Sequence, residues 1–178
     1  MRQRSFWVWL SAGFVAAALG WTAGGWIGSF LPRTLGASVL VAVSAGWLAG
    51  SPRRGLLAGA LAGIVATVAH VLGARLATSL LAWPGASLAI VLAVVGLFGR
   101  PWARVAAVVA APLFGLIGFA LGAVSVAFVG LSLNSGQITS QLLLGGAAGF
   151  GALTLAGLHV VARWCDRPLP AAQPGAIS

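Results

Sequence analysis

Six apolar stretches, each bounded by arginine, proline or glycine, account for nearly the whole of this chain. They run roughly Ser5–Phe30, Leu35–Gly50, Gly55–Ala77, Pro84–Gly99, Val105–Gly130 and Gln141–Trp164. A helix crosses the hydrocarbon core of a bilayer with about 20 mainly apolar residues at ~1.5 Å rise each. The second and fourth stretches are short and need their flanks to cross. Between the stretches stand "LPRT", "SPRR", "AWPG", "GRPWAR" and "LSLNSGQITS", the punctuation that ends helices. Only 6% of the residues are charged, whereas a soluble domain carries about 25% to wet its surface. Lipid must therefore be the main solvent. The pattern predicts an all-α integral membrane protein, a six-helix transmembrane bundle over residues 1–164. The tail 165–178, rich in proline and small residues, reads as disordered. The opening "MRQRSFWVWLSAGFVAAALG" has the basic start and apolar run of a signal peptide, but the run continues to Phe30 and reads as a retained first span.

The charges orient the bundle. All ten basic residues are arginines and the one acid is Asp166. With the N-terminus inside, Arg2, Arg4, Arg53, Arg54, Arg100, Arg104, Arg163 and Arg167 fall on the cytoplasmic side and only Arg33 and Arg75 on the outer side. Short cytoplasmic loops are enriched in arginine and lysine, so both termini are expected in the cytoplasm and the protein in the inner (plasma) membrane. Anionic lipid headgroups and water, not protein carboxylates, are the expected counter-charges of the inner arginines. Nucleic acid is excluded as a partner, because the arginines sit singly or in pairs at the ends of apolar runs and not on one polar face. Trp7, Trp9, Trp47, Trp102 and Trp164 fit an inner aromatic belt, and Trp26 and Trp83 an outer one. Trp21 lies deeper than either.

A possible internal repeat aligns "GASVLVAVSAGWLAGSPRR" from Gly36 with "GASLAIVLAVVGLFGRPWA" from Gly85, at an offset of 49. It would make helices two–three and four–five parallel copies of one hairpin. Small residues four apart occur at Ala12/Ala16, Gly20/Gly24, Gly118/Gly122 and Gly145/Gly149, and in the longer row Gly55, Gly59, Gly63. Lipid gives helices no hydrophobic drive to associate, so close backbone approach holds them together. These residues are expected at helix-packing or partner-docking faces, with Gly59 in the tightest contact.

Little supports catalysis or a cofactor. One cysteine, Cys165, excludes an intrachain disulfide. His70 and His159 lie at levels over ~10 Å apart, too far to share a metal, and are expected to hydrogen-bond a neighbouring helix or a polar ligand. "AHVLG" (Ala69–Gly73) is similar to the histidine helix of rhomboid proteases, but no Gly-x-Ser-x-Gly helix precedes it. Asp166, in "RWCDRP", is placed where Arg163 and Arg167 screen it, so it cannot carry protons through the bundle. Arg75 has no acid on its own side. It either snorkels to headgroups or, with Arg33, binds a carboxylate or phosphate bidentately. The uncharged polar stretch Leu131–Gln141 reads as an outer loop, a plain turn or one that closes over a ligand. A ligand site is therefore expected between the outer halves of helices one, three and six, formed by Trp21, Trp26, His70, Arg75, Asn134, Gln137 and Gln141.

Size, six spans, cytoplasmic ends and the Ala12/Ala16 pair in "AGFVA" give the chain a resemblance to the S components of energy-coupling-factor vitamin transporters. The resemblance implies a pocket for a small vitamin-like molecule, docking of a partner transmembrane subunit through Ala12 and Ala16, and energy from a separate ATPase. The chain carries no phosphate-binding loop of its own. A solute transporter or its substrate-binding subunit is the leading reading, and a non-catalytic accessory subunit of a larger membrane complex the alternative.

Overall fold

The computed structural model describes residues 5–28, 30–76, 81–95, 100–130 and 135–166, with side chains for all of these except 73–76, 129–130, 135–139 and 165–166. The expectations for the 167–178 tail, for Arg2, Arg4 and Asn134, and for the side chains of Arg75 and Gln137 fall outside the described residues. Six helices account for almost all the rest: α1 (Phe6–Ile27), α2 (Phe30–Leu48), α3 (Pro52–Leu76), α4 (Ala82–Val94), α5 (Pro101–Gly130) and α6 (Ser135–Asp166). Five are long and apolar enough to cross a membrane; α4, apolar but 13 residues long, is the shorter sixth. The described residues contain no strand. Several expected boundaries move: Phe30 opens α2 and does not end the first span, Leu31–Thr34 and Pro101–Arg104, read as breaks, lie within α2 and α5, and the stretch Leu131–Gln141, read as a loop, is helical from Ser135 onward.

The helices form a ring. Each packs on its neighbour in the chain, and α6 returns to α1 to close the circle. α2, α4 and α6 also touch one another at the centre, while α1, α3 and α5 make no mutual contact among the described residues. Helices one and three, expected as neighbours, are thus separated by α2, and among the described residues α3 does not reach α6 either.

Glycine pairs set the close crossings. A Cβ on Gly118 or Gly122 would run into the carbonyl of Gly149 or Gly145 across the α5/α6 interface. Gly13 stands against Gly151 between α1 and α6, Gly20 against Gly36 and Gly24 against Pro32 between α1 and α2, and Gly46 against Gly55 between α2 and α3. With no aqueous drive, helix backbones that touch directly gain the dispersion that side chains would otherwise block. In the Gly55, Gly59, Gly63 row only Gly55 meets backbone this closely. A Cβ on Gly59 would lie 3.5 Å from the Val39 and Val43 methyls, an ordinary contact, so Gly59 is not at the tightest crossing. Ala16 is buried and Ala12 packs against the buried cluster, so both belong to the interior of the bundle.

Between α2 and α3 the chain reverses at Gly50, whose φ of 80° suits glycine. The Ser51 N–H donates to the Gly46 carbonyl (2.8 Å) and the Gly50 N–H to that of Trp47 (3.1 Å), a Schellman close, and Pro52 starts the next helix where no N–H is needed.

The tryptophans divide differently from the belts expected. Trp7, Trp26, Trp47, Trp102 and Trp164 are exposed, as headgroup anchors are. Trp9 and Trp83, placed in belts by sequence, are fully buried, as is Trp21. Each faces a glycine- and alanine-rich interior with space for an indole that lipid-level position alone does not reveal.

Candidate functional site

At the end of the bundle where α1 stops and α2 and α6 begin, a cavity of about 280 Å³ is lined by Trp21, Thr22, Gly25 and Trp26 of α1, Arg33 of α2, and Ser140, Gln141 and Leu144 of α6. The tight α1/α2 hairpin builds it. Its contacts Gly20/Gly36 and Gly24/Pro32 are each symmetric about Gly28, so residues equidistant from that turn come face to face. This register brings Arg33 across the last turns of α1. Its guanidinium stands 5.7 Å from the centre of the Trp21 ring, within cation–π range. It also lies across Gly25, where a Cβ would be 3.1 Å from Nε and Cζ; the missing side chain leaves the guanidinium its place.

Arg33 is half-buried, and among the described residues no carboxylate or hydrogen-bond acceptor pairs with it. Asp166 ends the same helix that starts beside the cavity, 25 residues beyond Gln141 and so ~38 Å away along α6. A guanidinium at cation–π distance from an indole uses none of its five N–H donors on the ring, and these suit a carboxylate or phosphate. The Gln141 amide adds a donor and an acceptor at the same opening.

Behind the cavity runs an aromatic chain. Trp21, 2% exposed, meets Phe30 edge-on at 5.7 Å and Trp83 at 5.9 Å; Trp83 in turn contacts Phe119 at 4.9 Å and Phe150 at 5.0 Å. Phe30 stacks on His70 at 5.8 Å. His70 therefore reaches Trp21 through Phe30 and does not line the cavity. The indole Nε1 of Trp21 and of Trp83 and the Nδ1 of His70 are buried without hydrogen-bond partners, and each such atom costs about 1–3 kcal/mol when shielded from water.

Of the residues expected to form the site, Trp21, Trp26 and Gln141 come together. Trp26, 94% exposed, forms only the rim. Arg75 lies in the last turn of α3, and α2 stands between α3 and α1. Gln137 lies one turn before Gln141 on α6. Sequence reasoning gave Arg33 a secondary place, included Ser140 in the polar stretch that closes over a ligand, and missed Thr22, Gly25 and Leu144. The symmetric pairing about Gly28 is the signal that would have found Arg33.

A second cluster occupies the other end of α6. His159 stacks on Trp9 at 5.5 Å and lines a cavity of about 220 Å³ with Phe6, Val160, Arg163 and Trp164. His159 makes no hydrogen bond through Nε2 among the described residues: this atom and the Trp9 Nε1 are buried and unpartnered. The two histidines belong to separate clusters, and among the described residues no three potential metal ligands gather. No family model, curated protein or solved structure matches this chain.

Proposed function

We propose that this chain is a multi-pass inner-membrane protein that binds a small anionic solute at its outer end, as a transporter or as the substrate-binding subunit of one. A single observation carries the reading. Arg33 is a half-buried guanidinium held on Trp21, facing a cavity, with the one acid of the chain at the far end of the bundle. Membrane-level arginines are expensive and concentrate where a pair, a substrate or an aqueous cavity receives them. The arginine distribution puts both termini and Asp166 in the cytoplasm and the Arg33 cavity outside. Arg75 lies in the last turn of α3, at the same end of the bundle and one helix away from α1.

An energy-coupling-factor S component is one form of this reading. Docking of its partner subunit and ATPase would then use an exposed face of α1 such as Phe14, Val15 and Leu19, because Ala16 is buried against the bundle.

The test is a thermal-shift titration of the purified protein with small carboxylates and inorganic phosphate. At least one anion should raise the melting temperature of the wild type, and Arg33→Gln should lose that shift while melting normally without anion. If no anion stabilises the wild type, or Arg33→Gln responds equally, the reading fails.

A further inference from the structure

The Arg33 cavity shares part of its wall with a second one. Gln141 and Leu144 line it, and the same two residues line the head of a second, larger cavity of about 740 Å³ between α1, α5 and α6. α1 and α5 each pack on α6 but not on each other among the described residues, so the intervening face of α6 is left as a floor. Phe14 and Ala18 form one wall, Leu121 and Ser125 the other, and the floor runs from Gln141 to Leu153. The 12 residue-to-residue steps between them span ~18 Å of helix, about one leaflet of a hydrocarbon core ~30 Å thick. Its lining is almost wholly apolar, the Ser125 hydroxyl being turned back onto the Leu121 carbonyl at 2.8 Å.

We propose that this groove holds the aliphatic chain of a single-chain anionic amphiphile, entering sideways from the outer leaflet, with its anionic head on Arg33. The inference rests on the reading of the Arg33 cavity and names its ligand class. Three features select this occupant. The groove is apolar along one leaflet, its volume lies in the ~300–1,000 Å³ range of small-molecule sites, and it shares Gln141 and Leu144 with the cavity that the unpaired Arg33 lines. A neutral lipid chain would fill the groove but leave Arg33 without a counter-charge. A short anion would pair with Arg33 but leave the groove to bulk lipid.

The experiment uses the full chain in phosphatidylcholine nanodiscs and reads bound ligand by native mass spectrometry. The probes are palmitate, butyrate and hexadecanol. Ser125→Phe fills the groove from the α5 wall at an exposed position; Ala18→Phe does so from α1, should the first fail to fold. Palmitate should be retained one per protein, with occupancy falling about tenfold or more in Arg33→Gln and in the groove-filling variant. Butyrate should still stabilise the groove-filling variant in the thermal-shift assay. Partition into lipid is the same for every variant, so it cannot produce that difference. If palmitate is retained equally by wild type and groove-filled protein, or hexadecanol as well as palmitate, the groove is ordinary lipid surface and the inference falls, while the Arg33 reading stands on its butyrate response. If palmitate does not bind and no small carboxylate or phosphate stabilises the wild type, both fall.

Discussion

Two glycine rows share one spacing and behave differently. On α5 and α6, Gly118 and Gly122 face Gly149 and Gly145 with nothing between the two backbones. On α3, Gly55, Gly59 and Gly63 keep the same four-residue interval, yet after Gly55 the row opens away from α2. A Cβ on Gly59 or Gly63 would meet valine and leucine methyls at 3.5 Å or more, the Val39 carbonyl oxygen lying 3.7 Å from that on Gly59, and both glycines line a shallow apolar cavity of about 490 Å³ with Leu35, Val39, Ile64 and Val68. Spacing marks a helix face that is able to approach another. Whether it does so depends on what the partner presents there: glycine opposite glycine on α6, but branched Val39 and Val43 opposite glycine on α2.

The comparison breaks most visibly at Gly149. Gly149→Leu would drive a side chain into the Gly118 carbonyl and the Gly122 backbone, which cannot yield without parting α5 from α6. Overpacking costs about 1–3 kcal/mol where side chains can adjust, and this contact is backbone, so a loss above ~3 kcal/mol and an aggregated product are expected on gel filtration. A monodisperse Gly149→Leu protein with unchanged melting would show that the two helices are not so close.

Gly55→Ala comes next. Its Cβ would lie 2.9 Å from the Val43 carbonyl oxygen and 3.1 Å from the Gly46 Cα, so α2 and α3 must shift by a few tenths of an ångström near their turn. A destabilisation of about 1–3 kcal/mol should appear as a lower melting temperature of a still folded protein.

The smallest effect has the opposite sign. Gly59→Ala adds a methyl at van der Waals distance from Val39 and Val43, and alanine in a helix interior is favoured over glycine by roughly 0.5–1 kcal/mol. Its melting temperature should be equal to or slightly above that of the wild type. A clear drop would restore Gly59 to a tight crossing and erase the difference between the rows.

The two ends of the bundle carry a related lesson. Each has a buried tryptophan with an unpartnered Nε1, Trp21 beside Arg33 and Trp9 beside His159. From sequence, Trp9 looked like a belt residue and Trp21 like an exception, because depth along the helix was the only coordinate to hand. The structure buries both, for reasons of azimuth: Trp9 and Trp21 lie on the face of α1 that also carries Gly13, Ala16, Ala17, Gly20 and Gly24, while Trp7 and Trp26 lie off it.

By itself the sequence determined that this chain is helical, that its long helices are apolar enough for a membrane, the number and order of the helices, and that its charge lies near their ends. Those properties follow from runs of apolar residues, from proline and glycine, and from the cost of charge in hydrocarbon, all of which act along the chain. Only the tertiary structure decided that α2 separates α1 from α3, that Arg33 rests on Trp21, and that a groove opens between α1 and α5. In water, the polar face of a helix would have announced which side turns inward. In lipid both faces are apolar, and the choice falls to how glycines, alanines and large rings on distant segments fit together, which no single stretch of sequence contains.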